Sequence, residues 1–134
     1  MPQRRVAVIP VIKKSKSYEI YLVTCREKNK WIIPTGKHEK KMSDKKVAVL
    51  EAYEEAGVIG KLDRSFRKSV VVQSPGGRKK RKLKLYMIKV EKSYKKWPED
   101  KQRKRKKVSA DELGKFVSDK RLRKQLKQEM AKLA

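Results

Sequence analysis

Three glutamates, Glu51, Glu54 and Glu55, fall at i, i+3 and i+4 in a stretch with no lysine between Val47 and Ile59. The chain as a whole carries 40 lysines and arginines, so the gap stands out. On a helix this spacing brings all three carboxylates to one side. Carboxylates held together repel one another, and a divalent cation is a simple way to keep them ionised. An oxygen-only donor set suits Mg²⁺ or Mn²⁺. The other reading of the same residues is a solvated acidic helix face.

The elements that must position these acids can be read on both sides of them. Ser43 is suited to be an N-cap, and Asp44 favours a first helical turn through the helix dipole. Val49, Ala52, Tyr53 and Ala56 recur at i, i+3, i+4 and i+7, which predicts an apolar stripe opposite the acids. Gly57 is the expected helix stop. Before the helix, residues 31–36 read as a strand breaking into a loop at Pro34, Thr35 and Gly36. Strand, loop and acidic helix together can hold a metal against a phosphate.

These residues resemble the Nudix box, G-x5-E-x7-R-E-U-x-E-E-x-G-U with U apolar. Gly36 matches its opening glycine, and Glu51, Ala52, Glu54, Glu55, Gly57 and Val58 match its end. Met42 and Leu50 stand where the family has a glutamate and an arginine that pair as an ion bridge. Both replacements are apolar, so a hydrophobic contact between them is expected in place of the ion pair, a swap that can be neutral or stabilising. Trp31 to Pro34, then Trp97, Pro98 and Glu99 with Arg103 and Arg105, resemble the branch containing diphosphoinositol-polyphosphate and dinucleoside-polyphosphate hydrolases. The resemblance implies an α/β/α sandwich with a mixed sheet between helices. It also implies Mg²⁺-dependent hydrolysis of a phosphoanhydride in a nucleoside-diphosphate-X type of substrate.

In that reading Glu51, Glu54 and Glu55 bind metal and one of them serves as base, while Glu99 is a candidate fourth metal ligand. Arg26, Gly36, Lys37, Arg103 and Arg105 are candidates for substrate contact, the arginines because a guanidinium can grip phosphate oxygens with two bonds at once. Two alternatives stay open: a 5′-RNA pyrophosphohydrolase, and a non-catalytic polyanion- or RNA-binding domain on a degenerate Nudix scaffold.

Composition sets outer limits. A length of 134 residues suits one domain with one core. No apolar run is long enough to span a bilayer and no N-terminal signal pattern is visible. A lone Cys25 excludes an internal disulfide and suits a reducing cytoplasm, and a lone His38 cannot build a zinc site with it. The net charge of +25 favours polyanions as partners, namely a phosphate-rich small molecule or a nucleic acid, unless it is a general lysine bias.

Apolar runs predict strands at 5–11, 18–24, 31–33 and 69–73, and alternation of Leu83 and Leu85 with Lys82 and Lys84 one at 83–90, with a turn at Ser74, Pro75, Gly76 and Gly77. The run Arg78 to Arg81 then falls at a hairpin tip, and 92–107 reads as a long basic loop. Ser109 with Glu112 forms a capping box, and Leu122, Leu126, Met130 and Leu133 mark a C-terminal helix.

Overall fold

A computed structural model of the chain describes residues 3–25, 30–74 and 77–133. Its strands are β1 (Gln3–Lys14), β2 (Ser17–Thr24), β3 (Trp31–Ile32), β4 (Thr35–Lys37), β5 (Val58–Leu62), β6 (Lys68–Gln73), β7 (Lys80–Ser93) and β8 (Arg105–Ser109). The helices are α1 (Asp44–Ala56), α2 (Leu113–Phe116) and α3 (Lys120–Leu133). β1 and β7 run parallel through the middle of one mixed sheet, from Gln3 beside Arg81 to Val11 beside Lys89. β4 and β2 share the outer edge of β1, with Ala7 beside Thr35 and Val11 beside Ile20. β6 and β5 likewise share the outer edge of β7.

Alternation along the central strands feeds two cores. Ala7, Ile9, Ile20, Leu22, Leu85 and Met87 face α3, which buries Leu122, Leu126 and Met130 against them. Val6, Val8, Tyr21, Val23, Tyr86 and Ile88 face α1. The α/β/α sandwich with a mixed sheet is therefore the architecture. No helix among the described residues is long and apolar enough to cross a membrane.

Helix α1 starts and stops where its sequence says. Ser43 Oγ accepts the Lys46 N–H at 3.2 Å, and Gly57 takes up φ 67°, a left-handed conformation that costs glycine little. The buried stripe differs from the expected one. It consists of Val47, Ala48, Ala52 and Ala56, and Glu55 lies in it. Val49 and Tyr53 are exposed instead. Three alanines let the helix lie close to the sheet, so the acids border the helix–sheet seam and do not point away from it.

The long basic loop expected at 92–107 is shorter than that. β7 continues to Ser93, and β8 begins at Arg105, pairing with β2 from Glu19 beside Ser109 to Val23 beside Arg105. The segment between them closes the C-terminal end of α1, whose last four carbonyls have no partner within the helix. Tyr53 O accepts the Gly57 N–H at 2.9 Å, and Glu54 O accepts the Glu99 N–H at 3.1 Å. Glu55 O accepts Trp97 Nε1 at 3.0 Å, and Ala56 O accepts Arg105 Nη1 at 2.7 Å. The Glu112 carboxylate accepts the Ser109 N–H at 3.0 Å as the capping box requires, opening a 3₁₀ turn and the short α2.

Candidate active site

β4 passes directly over α1. A Cβ placed on Gly36 would lie 2.6 Å from the Glu51 carboxyl carbon, so a larger residue there would push that carboxyl aside. One residue earlier, the Thr35 N–H donates to Glu55 Oε1 at 3.1 Å. Glu55 is only 3 % exposed. Its other oxygen lies 3.4 Å from Arg103 Nη2. The same guanidinium donates through Nε to Glu99 Oε1 at 2.7 Å and through Nη1 to the Thr24 carbonyl at 3.0 Å. Arg103 thus ties together β2, α1 and the segment that caps α1.

Negative charge is in surplus here. Burial, helped by the hydrogen bond with Glu51 and opposed by Arg103 and the Thr35 N–H, pushes the Glu55 carboxyl up to about 9. Burial also raises Glu51, helped by the charges of Glu54 and Glu99 and opposed by its hydrogen bond with Glu55. One arginine does not neutralise the group.

Among the described residues no three His, Cys, Asp or Glu side chains lie together in ligating positions as they stand. The donor set nonetheless fits a hard divalent cation. It is all oxygen, it has more carboxylates than countercharges, and a cation would favour the ionised forms that burial, and then mutual repulsion, disfavour at Glu51 and Glu55. Glu51 and Glu54, whose side chains Arg103 does not bind, are the residues best suited to hold it, with Glu99 and Glu55 beside them.

The structure gathers six of the sequence-derived site residues: Gly36, Glu51, Glu54, Glu55, Glu99 and Arg103. Arg105 lies at the end of α1, its guanidinium 4.1 Å from the Trp97 ring centre, where a cation favours the helix dipole. Lys37 is exposed at the end of β4, beside Arg5 and on the sheet face opposite Gly36. Arg26 lies outside the described residues. His38 sits at the other end of α1, its Nδ1 2.6 Å from Asp44 Oδ1. Thr35 and Thr24 were not singled out by sequence. Their contributions are backbone groups, and the Thr24 contact to Arg103 spans 79 positions, which no local pattern announces.

A cleft of about 460 Å³ opens on the α3 side of the sheet, lined by Trp31, Thr35, Gln73, Arg81, Leu83 and Leu122 among others. Thr35 belongs both to its wall and to the Glu55 hydrogen bond. Trp31 is held edge-on by Phe116, with ring centres 6.1 Å apart, and its side chain borders the cleft.

Met42 and Leu50 line one shallow groove with Val49 and Leu62, rimmed by Lys45, Lys46 and Lys61. Leu50 is 38 % exposed, so this is not a buried site at which one restored charge would cost several kcal/mol. Leu50→Arg should destabilise by less than about 1 kcal/mol, measured by denaturant unfolding. A loss several times larger would mean that Leu50 is packed more tightly than its exposure indicates.

The raised Glu55 carboxyl sets a second expectation. Its value moves from 4.5 to about 9 on folding. Between those values the folded, cation-free protein keeps a proton that the unfolded chain has lost, so stability falls as pH rises through the window. Glu55→Gln cannot titrate, so with chelator present its stability should decline less steeply from pH 5 to 9, and it should exceed wild type at pH 8. Parallel pH profiles for the two proteins would show that Glu55 is ionised when buried.

By sequence, no protein-family model matches the chain, and no curated protein does either. By structure, the chain superposes on an Ap4A hydrolase from C. elegans with TM-score 0.77 and 16% identity, covering 100% of both chains. The NUDIX domain of Shewanella oneidensis NrtR, solved with ADP ribose, aligns with TM-score 0.69 and 12% identity over 99% of this chain and 88% of that one. The M. smegmatis Nudix hydrolase RenU gives 0.69 and 13% over 98% and 88%. Identities this low speak to architecture alone, and on that evidence the chain has the fold of the Nudix hydrolases.

Proposed function

We propose that this chain hydrolyses a phosphoanhydride bond in a nucleoside-diphosphate-X type of substrate, with Mg²⁺ or Mn²⁺ as cofactor. A dinucleoside polyphosphate or a diphosphoinositol polyphosphate is the substrate class put first. The observation that carries the reading is the carboxylate group itself: Glu51 and Glu55 drawn against Gly36 and Thr35, with Glu54 and Glu99 beside them and one arginine among them. A pure binder of polyanions gains nothing from four carboxylates gathered at one place. The likeness to the C. elegans Ap4A hydrolase and a net charge of +25 favour a substrate rich in phosphates.

In this mechanism the cation, when bound, polarises phosphoryl oxygens and makes water more acidic. The oxygens of Glu51 and Glu54, with Glu55 and Glu99, would hold it. Glu55 has both oxygens engaged, by the Thr35 N–H and by Arg103, which suits a fixed positioning role. Glu51 hydrogen-bonds Glu55 and Glu99 is held by Arg103, which leaves Glu54 with the unengaged carboxylate among the described residues and favours it as the base that would take a proton from the attacking water. The water oxygen forms a bond to phosphorus as the anhydride P–O bond breaks, and the leaving phosphate carries away the electron pair. Arg81, on the cleft wall, would offset charge on the substrate's phosphates, and the Trp31 side of the cleft would offer a surface for a base or another planar group.

The test is hydrolysis of diadenosine polyphosphates, diphosphoinositol polyphosphates, ADP-ribose and triphosphorylated RNA, with Mg²⁺ and with excess EDTA. Chelator should abolish turnover and added Mg²⁺ or Mn²⁺ restore it. Glu54→Gln, nearly the same shape, should fold normally and lower kcat by roughly 10² or more. Turnover undiminished in EDTA, or a Glu54→Gln rate within a few-fold of wild type, would contradict the reading.

A further inference from the structure

The outer side of α1 is apolar although the fold does not ask it to be. Lys46, Val49, Leu50 and Tyr53 recur at i, i+3, i+4 and i+7, a second stripe on the side of the helix away from its buried residues. Among the described residues the exposed large hydrophobic side chains are Val49, Leu50 and Tyr53 on this stripe and Ile59 just beyond the helix. Scattered singly such side chains need no explanation, but gathered on one element of a chain that is 41% charged they do. None of the three stripe residues belongs to either core. Val49 and Tyr53 are also poorer helix formers than lysine or glutamate, so helix stability does not select them.

The stripe borders a hollow of about 1000 Å³. Val49 and Leu50 form its helical side, with Leu62 at the end of β5 and Met42 before the helix. Leu62 pairs with Ile88 and, like Met42, packs against the α1-side core, so the apolar floor is fixed from beneath. Towards the other end of the helix Tyr53 meets Tyr94 edge-on, and Lys92 Nζ lies 4.7 Å from the centre of the Tyr94 ring.

The rim is cationic. Lys45, Lys46 and Arg64 line the groove, and no acid is among its lining residues. The acids nearest in sequence are engaged elsewhere: Asp63 accepts the Ser65 N–H and hydroxyl, and Glu54 lies with the carboxylate group.

Shape and charge together choose the occupant. A second copy would bring two chains of net charge +25 into contact at cationic rims. A bilayer is flat and would meet the rim before the floor. A helix with an apolar ridge can enter such a groove, and carboxylates beside the ridge then reach the rim cations. We propose that the outer face of α1 docks an amphipathic helix of a partner protein, with acids flanking its apolar ridge.

Fluorescence anisotropy on the full chain tests this with a labelled synthetic peptide of about 18 residues, carrying leucines at ridge spacing and alanines and glutamates elsewhere. A scrambled peptide of the same composition keeps the charge and loses the ridge. The ridged peptide should bind with a dissociation constant below about 100 μM, and the scrambled one about tenfold or more weakly. Val49→Gln, Leu50→Gln, Tyr53→Gln together should weaken the ridged peptide about tenfold or more and still unfold cooperatively, since the three side chains lie outside the cores. Should that triple variant fail to fold, Leu50→Gln alone should cost about threefold. Lys45→Gln with Lys46→Gln should weaken binding and flatten its salt dependence. Lys124→Gln with Lys127→Gln removes the same charge from exposed positions on α3 and should change neither. Equal binding of the two peptides, or equal losses in the two lysine variants, would overturn the proposal in favour of net charge alone. So would no binding of the ridged peptide below about 100 μM. A wild-type dimer in sedimentation that the apolar variant dissolves would assign the face to a second copy instead. Binding to phosphatidylglycerol vesicles that the apolar variant loses would assign it to a lipid surface.

Discussion

The approach of β4 to α1 at Gly36 is the constraint on which the site depends. Gly36 leaves room for the Glu51 carboxyl beside the strand, and one residue earlier the backbone of Thr35 lies within hydrogen-bonding distance of Glu55. That approach buries Glu55, and a buried carboxylate needs either a proton or compensating donors. The Thr35 N–H and Arg103 compensate it only in part, and the Glu55 carboxyl stays raised to about 9. Alanines at 48, 52 and 56 serve the same end, since larger side chains would lift the helix away from the strands.

Arg103 can reach Glu55 only because its own segment is anchored. The run from Tyr94 to Arg105 lies across the end of α1 and supplies partners for three of its last four carbonyls, the fourth being met by Gly57. One of those partners is the Glu99 N–H, so the bond that caps the helix also brings the Glu99 carboxylate to Arg103. Helix capping and assembly of the charged group are thus one arrangement. Trp97 and Arg105 act in it as structural groups: the indole donates to Glu55 O, and the guanidinium stacks on the indole while donating to Ala56 O.

Much of this was legible in the sequence, for physical reasons that are local. Ser43 and Gly57 bound α1 because a side-chain acceptor and a left-handed residue are needed at those ends whatever the helix packs on. The apolar runs in 5–11, 18–24 and 83–90 report burial on both faces of central strands. What local pattern did not disclose depends on distant partners. β8 reads Arg-Lys-Lys-Val-Ser, with only Val108 buried, and is a strand because β2 offers it an edge. β4 is three residues around a glycine, held by β1. The buried stripe of α1 departs from the one the sequence suggests because Glu55 is charged and Val49 and Tyr53 are not, while contacts with the strands set the rotation of the helix. Tyr53 settles edge-on against Tyr94 at 5.8 Å, outside the core.

The central claim is that the Gly36 approach shapes the carboxylates to take a divalent cation. Titrating Mn²⁺ into the wild-type protein and into Gly36→Ala, with bound ion followed by electron paramagnetic resonance and folding by denaturant unfolding, tests it most directly. The account predicts a Mn²⁺ site in wild type that Mg²⁺ displaces. In Gly36→Ala, where the added methyl drives the Glu51 carboxyl aside, the site should be weakened at least tenfold while the chain still unfolds cooperatively. No Mn²⁺ binding by wild type, or undiminished binding by a folded Gly36→Ala protein, would contradict it.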